Sequence, residues 1–192
     1  MNAPAAAIPW TLPSPGRVGM YGLIAAESAI FVIFVVAYLF YAGKSVAGPT
    51  PEVLHAPWVP SICLLSSSWT IHSAVATLRR GDVASFARRW LATIVLGGVF
   101  LGATAREWRH LIVDEGLTIR TNLLGTTYYS LVGLHAFHVT VGLVVLTAVW
   151  LFGAFGRVAP ADAERVSLVS MYWHFVDVVW VVVFSVVYVI GR

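Results

Sequence analysis

The sequence predicts an all-α fold, a polytopic membrane bundle of five transmembrane helices. Three observations predict it. The chain has 192 residues, 59% of them hydrophobic and only 11% charged, with a mean hydropathy of +0.83, whereas soluble domains carry about a quarter charged residues. Five separate stretches reach roughly the 20 apolar residues that a helix needs to cross the hydrocarbon core. The connections between them are short, the Gly/Pro-rich link Gly43 to Pro57 and the polar link Arg109 to Thr126 being the longest.

Residues 1–17 read as an extended N-terminal tail. The first sixteen hold four prolines and no Lys or Arg, so they lack the basic start and compact apolar core of a cleavable signal. The first span runs from about Val18 to Tyr41, interrupted only by Glu27. The second, about Trp58–Leu78, follows Pro57 and carries His72. The third, about Trp90–Trp108, begins after Arg88-Arg89 and closes on Arg106-Glu107-Trp108-Arg109-His110. The fourth, about Thr127–Phe152, holds His135 and His138; the fifth, about Val166–Ile190, holds Trp173, His174 and Asp177. No internal repeat or second domain is visible, so 18–192 reads as one five-helix domain. Trp58, Trp69, Trp90, Trp108, Trp150 and Trp180 partly mark span ends, as an aromatic belt would.

With five spans the termini lie on opposite sides. Arg17, Arg79, Arg80, Arg88, Arg89, Arg157 and Arg165 share the N-terminal side; Lys44, Arg106, Arg109, Arg120 and Arg192 share the other. The excess and the dense cluster between Arg79 and Arg89 place the N-terminus in the cytoplasm. A net charge of +3 gives no reason to expect nucleic acid as a partner. The lone Cys63 excludes an internal disulfide or a cysteine metal site and reads as a packed small hydrophobe.

The ionisable residues inside the spans are the informative ones, because a charge near the bilayer centre costs about 3 kcal/mol or more. At about 1.5 Å per residue, Glu27 lies about 14 Å from the cytoplasmic face, His174 about 12 Å, Asp177 about 16 Å and His72 about 9 Å. These four share one half of the bilayer and could meet, while His135 and His138 lie nearer the middle and the outer half and Glu107 near the outer end of its span. Glu27 fits a proton relay or ion site, and equally a protonated glutamate that joins helices. His174 and Asp177, one turn apart on one face, fit a carboxylate-oriented imidazole or polar glue between helices. Histidines on facing helices could also clamp a haem iron, as His72–His174 or His138–His174. Gly98 and Gly102 form a Gly-x-x-x-Gly pattern that reads as close packing inside the bundle.

Several motifs carry a family resemblance. Tyr172-Trp173-His174-Phe175-Val176-Asp177-Val178-Val179-Trp180 resembles the last-helix signature of subunit III of haem-copper oxidases, and Gly133-Leu134-His135-Ala136-Phe137-His138-Val139-Thr140-Val141-Gly142 resembles that of the preceding helix. Ala26-Glu27-Ser28 is similar to the family's Ser-Glu region, whose glutamate reacts with carbodiimide. Ser66-Ser67-Ser68-Trp69 with His72, Gly81-Asp82 and Glu107-Trp108 match further short patterns in order. The length fits the five-helix bacterial form. One departure stands out: the family glutamate seven residues before the last-helix histidine is Ser167 here, and Glu164 is off its register.

The resemblance implies an accessory subunit of a respiratory terminal oxidase of the cytochrome c oxidase kind, which reduces dioxygen to water and pumps protons. Quinol oxidases and nitric oxide reductases have related subunits. It implies no catalytic residue, metal or redox centre in this chain, the haems and copper residing in partner subunits. It implies packing on subunit I, proximity to subunit II, bound phospholipid, a bacterial cytoplasmic (inner) membrane, and support of proton uptake and sustained turnover. By position, Glu27 becomes the carboxyl facing the lipid cleft and subunit I. His72, Glu107, His135, His138, Trp173, His174 and Asp177 become the intramembrane polar scaffold. A membrane haem protein and a proton transporter are the alternatives from other classes.

Overall fold

The computed structural model describes residues 13–45 and 47–191. They form five long helices: α1 (Pro15–Tyr41), α2 (Trp58–Arg79), α3 (Val83–Val113), α4 (Leu123–Ala154) and α5 (Ala163–Ser185), the last continuing as a π-helical turn over Val186–Ile190. Single 3₁₀ turns at Pro51–Val53 and Pro160–Asp162 shape two of the links. Among the described residues four elements are long and apolar enough to cross a membrane: α1, α3, α4 and the helical run Pro160–Ile190. The chain is thus an all-helical, multi-pass membrane bundle.

The helices outrun the apolar stretches that announced them. α1 starts at Pro15, so the expected tail 1–17 gives its last three residues to the helix; Pro at the first helical position costs no hydrogen bond and presets φ. Residues 1–12 of that tail lie outside the described residues, as does Arg192. α3 is 31 residues long, because its start is fixed by Asp82, whose carboxylate accepts from the Ser85 N–H at 2.9 Å. Both the Arg88-Arg89 patch and the Arg106–His110 cluster are therefore helical. α4 begins at Leu123 because Asn122 caps it, accepting from Gly125 N–H at 2.8 Å and donating from Nδ2 to Ala47 O and Pro49 O, each at 3.0 Å.

α5 is the centre. It packs on α1, α2 and α4, while α3 packs on α2 and α4, and α1 leans on α4 and α5. Within the apolar windows 56% of the Pro160–Ile190 run is buried against 11% of α1. Trp173 shows how α5 holds its neighbours. Its indole N–H donates to Ser67 Oγ on α2 at 2.8 Å, and its ring lies over Gly97 on α3 and Gly142 on α4. A Cβ at Gly97 would stand 2.8 Å from Trp173 Cη2, and one at Gly142 would stand 2.8 Å from Cζ3. Trp180 repeats the device, donating to Ser61 Oγ at 3.0 Å. Trp90 N–H donates to the Leu146 carbonyl at 2.9 Å, joining α3 to α4. Trp90 and Trp180 are buried, so these two are core residues and not part of an interfacial belt.

The serines of α2 explain its low apolarity: Ser61, Ser67 and Ser68 point at α5 side chains. Close helix approach occurs at Gly97 and Gly142. Gly98 and Gly102, where the sequence pattern suggested it, have nothing within 4 Å of where a Cβ would be; that pair faces outward from the bundle.

Candidate functional site

Two polar centres lie inside the bundle, and they do not share residues. The first joins α1 to α4. His138 Nε2 stands 3.0 Å from Glu27 Oε2. The other ring nitrogen, Nδ1, stands 2.8 Å from the Leu134 carbonyl. A carbonyl only accepts, so Nδ1 carries a hydrogen, and a neutral imidazole then has Nε2 as an acceptor. The contact with Glu27 therefore requires one further proton, held between Nε2 and Oε2. Phe31 packs on the His138 ring at 5.0 Å, and Tyr172 O–H donates to the His138 carbonyl at 3.3 Å. The two side chains are 7% and 24% exposed, His138 being the deeper. Glu27 is thus a mid-helix carboxyl turned toward α4 that keeps part of its surface open.

The second centre joins α2 to α5. Ser68 Oγ lies 3.0 Å from His174 Nδ1 and also donates to Asp177 Oδ2. His174 and Asp177, one turn apart, thus grip a single hydroxyl of the facing helix. Asp177 is buried, and its other oxygen, Oδ1, has no hydrogen-bond partner. The His72 ring lies 6.4 Å from that of His174. A cleft of about 340 Å³ opens beside them, lined by Arg17, His72, Arg79, Ser167, Ser170 and His174.

The expectation that Glu27, His72, His174 and Asp177 meet holds for three of them. Glu27 leaves the group because α1 packs on α4 and α5, which aims its carboxyl at His138. His135 and His138 also part company. His135 is fully buried, stacks on Trp180 at 4.9 Å and meets Phe100 edge-on at 5.7 Å; neither of its nitrogens has a hydrogen-bond partner. It behaves as an aromatic core residue. His138 uses both nitrogens within the chain, so neither is left to bind a haem iron. Glu107 stands apart in a cavity of about 610 Å³ near the α3 C-terminus, with Arg106, His110, Tyr128 and Trp180. Among the described residues no three His, Cys, Asp or Glu side chains converge on one point.

Residues 16–192 match the family model described as cytochrome c oxidase subunit III. The chain belongs to the cytochrome c oxidase subunit III family. Relatives agree over nearly the whole length. Cytochrome c oxidase subunit 3 of Synechocystis is 39% identical over 179 residues, covering 89% of this chain and 75% of that protein. The Corynebacterium diphtheriae protein of the same name is 35% identical, covering 99% and 95%. That of Thermostichus vulcanus is 30% identical, covering 91% and 87%. The chain is accordingly subunit III of a haem-copper oxidase.

Within the family motifs the sequence named His174 and Asp177 but not the residue between them. Ser68 was visible only as one of three consecutive serines, and nothing in Ser66-Ser67-Ser68 tells which hydroxyl faces α5. Ser167, where the family has glutamate, donates to the Glu164 carbonyl at 2.7 Å and lines the cleft. Glu164 does not replace that carboxylate; it pairs with Arg17 at 2.7 Å, tying the start of α5 to the start of α1.

Proposed function

We propose that this chain is the accessory, non-catalytic subunit III of a bacterial cytochrome c oxidase. All five helices cross the cytoplasmic (inner) membrane, with the N-terminus in the cytoplasm and the C-terminus outside. The haems and copper belong to partner subunits, and the complex reduces dioxygen to water and pumps protons. The chain packs on subunit I, binds phospholipid, and supports proton uptake and sustained turnover. The relatives' printed names favour cytochrome c as the donor. α2 counts as a span because its serines are spent on α5, and it lies between α3 and α5.

One observation carries the proton-linked part of this reading. The Glu27–His138 pair holds a single proton at mid-helix on α1, whose outer face exposes Ile30, Ile33 and Val36. An apolar face on a membrane helix suits lipid or a partner subunit, while Glu27 stands on the inward side of the same helix, with Phe31 and Tyr38, 24% exposed beside His138. His72, Glu107, His135, His138, Trp173, His174 and Asp177 serve as the polar and aromatic scaffold beneath.

The test is to purify the oxidase with and without this chain and to follow activity through many turnovers. Removal should accelerate turnover-dependent inactivation, and Glu27→Gln should do so partially with assembly intact. An inactivation rate that is the same with the chain removed refutes the role. A copurifying subunit II that lacks copper would move the donor from cytochrome c to quinol.

A further inference from the structure

We propose that the cleft at the α1 N-terminal end delivers protons through His174 and Ser68 to Asp177, making Asp177 an interior proton-loading site. This goes beyond the scaffold role given to these residues and does not rest on Glu27.

The path has three links. The cleft opens beside His72 and His174, with Arg17 and Arg79 also lining it. His174 uses Nδ1 for Ser68 at 3.0 Å, which leaves Nε2 without a bonded partner, on a ring that lines the cleft. Ser68 then touches Asp177 Oδ2, about 20 Å along α5 from Ala163 by helical rise. Seen as chemistry, a proton from cleft water adds to His174 Nε2. The Nδ1 proton passes to Ser68 Oγ as the Ser68 proton passes to Asp177 Oδ2. The imidazole is left neutral with its hydrogen on Nε2, the hydroxyl is restored, and the carboxylate has become the acid. One proton has entered and one charge has been removed.

Energetics favour that transfer over a static bond. A buried carboxylate with one bare oxygen and no cation beside it is costly, and a proton on Oδ2 removes the cost. The surrounding groups leave Asp177 unpaired. On α1, Arg17 is tied to Glu164 of α5 and Glu27 to His138 of α4. On α2, His72 and Arg79 stand at the cleft. On α4, His135 is stacked on Trp180. A hydroxyl relayed between an imidazole and a carboxyl is more than glue needs, since Trp173 and Trp180 already join α5 to α2 through neutral serines.

Infrared spectroscopy of the assembled oxidase tests this without measuring turnover. The C=O stretch of a protonated carboxyl that vanishes in Asp177→Asn identifies the site, and its shift on transfer to heavy water times proton exchange. Losing a positioned proton-transfer group costs about a hundredfold or more in rate, so Ser68→Ala should slow the shift by about that factor and Ser68→Thr should restore it. His174→Gln, which keeps a hydrogen bond to Ser68 but cannot relay a proton, should slow it equally and covers the case in which Ser68→Ala fails to assemble. An absent Asp177 band, or an exchange rate unchanged in either slowed variant, overturns the proposal.

Discussion

Replacing Glu27 separates a shared proton from a mere contact. In the native chain His138 Nε2 and Glu27 Oε2 are 3.0 Å apart, and Nδ1 is already spent on Leu134 O at 2.8 Å. Glu27→Gln puts an amide N–H within reach of the Nε2 lone pair, so the hydrogen bond survives while the mobile proton goes. Its cost should stay below about 1 kcal/mol, the net worth of an ordinary hydrogen bond. Glu27→Ala leaves Nε2 with no partner beside Phe31, and an unsatisfied buried polar group costs about 1–3 kcal/mol. The two variants should therefore differ by about 2 kcal/mol in reversible unfolding in mixed micelles with increasing dodecyl sulfate. His138→Leu in both backgrounds supplies the cycle: with His138 gone, Gln and Ala at 27 should become nearly equal. Gln and Ala costing the same with His138 present would refute the proton assignment, because the geometry would then carry no hydrogen bond worth keeping.

Three further outcomes follow from the packing and the caps. Gly142→Ala places a methyl 2.8 Å from Trp173 Cζ3, on a ring equally confined at Gly97, and should destabilise the bundle by about 1–3 kcal/mol; Gly98→Ala meets open space and should be neutral or gain about 0.5–1 kcal/mol, both read by the same unfolding assay. Asn122→Ser keeps the α4 cap but loses the donations to Ala47 O and Pro49 O, while Asn122→Ala loses the cap as well; a cap alone is worth about 1 kcal/mol, so Ala should be the worse by about that much, measured by proteolysis of the α1–α2 link. The hydrogen bonds from Ser85, then Arg88 and Arg89, hold the Asp82 carboxyl below its ordinary value of 3.8. Its stabilising effect is thus complete above 3.8 and fades as pH falls through the lower folded value, and amide exchange at Ser85 and Phe86 should show this loss on acidification in the native chain but not in Asp82→Asn.

How far the sequence reached is clearest at the helix ends and at the serines. Apolar runs located all five helices, because burying or embedding a 20-residue stretch leaves few alternatives. They could not show that α3 runs from Val83 to Val113: the flanking arginines look like a boundary to hydropathy, yet a capped helix continues past the hydrocarbon. Trp90 and Trp180 stand among the tryptophans that suggest an interfacial belt, but their faces turn inward, and a face is invisible without the neighbouring helix. The same holds for the polar residues. His174 and Asp177 were readable as a pair because i and i+3 share a face. That Ser68 bridges them, and that Glu27 meets His138 rather than this pair, depends on which helices touch.

The neutral links in this bundle bear on why it keeps titratable groups at all. Trp173–Ser67, Trp180–Ser61 and Trp90–Leu146 O already fasten α5 to α2 and α3 to α4, and such interhelical bonds are worth about 0.6 kcal/mol each with no charge to desolvate. A carboxyl does the same fastening at greater risk, since every lost partner leaves a costly group in apolar surroundings. If fastening were the whole purpose, serine or threonine would serve at 27 and 177. Glu27 and Asp177 instead stand at distinct stations: Glu27 on α1 with an imidazole behind it, Asp177 near a cleft with an imidazole and a hydroxyl between. In both, a histidine stands close to the carboxyl, directly at Glu27 and across the Ser68 hydroxyl at Asp177, and an imidazole is the side chain whose charge changes most readily near neutral pH. That recurrence, on different helices and without a shared residue, is what the proposed proton handling needs and adhesion alone does not.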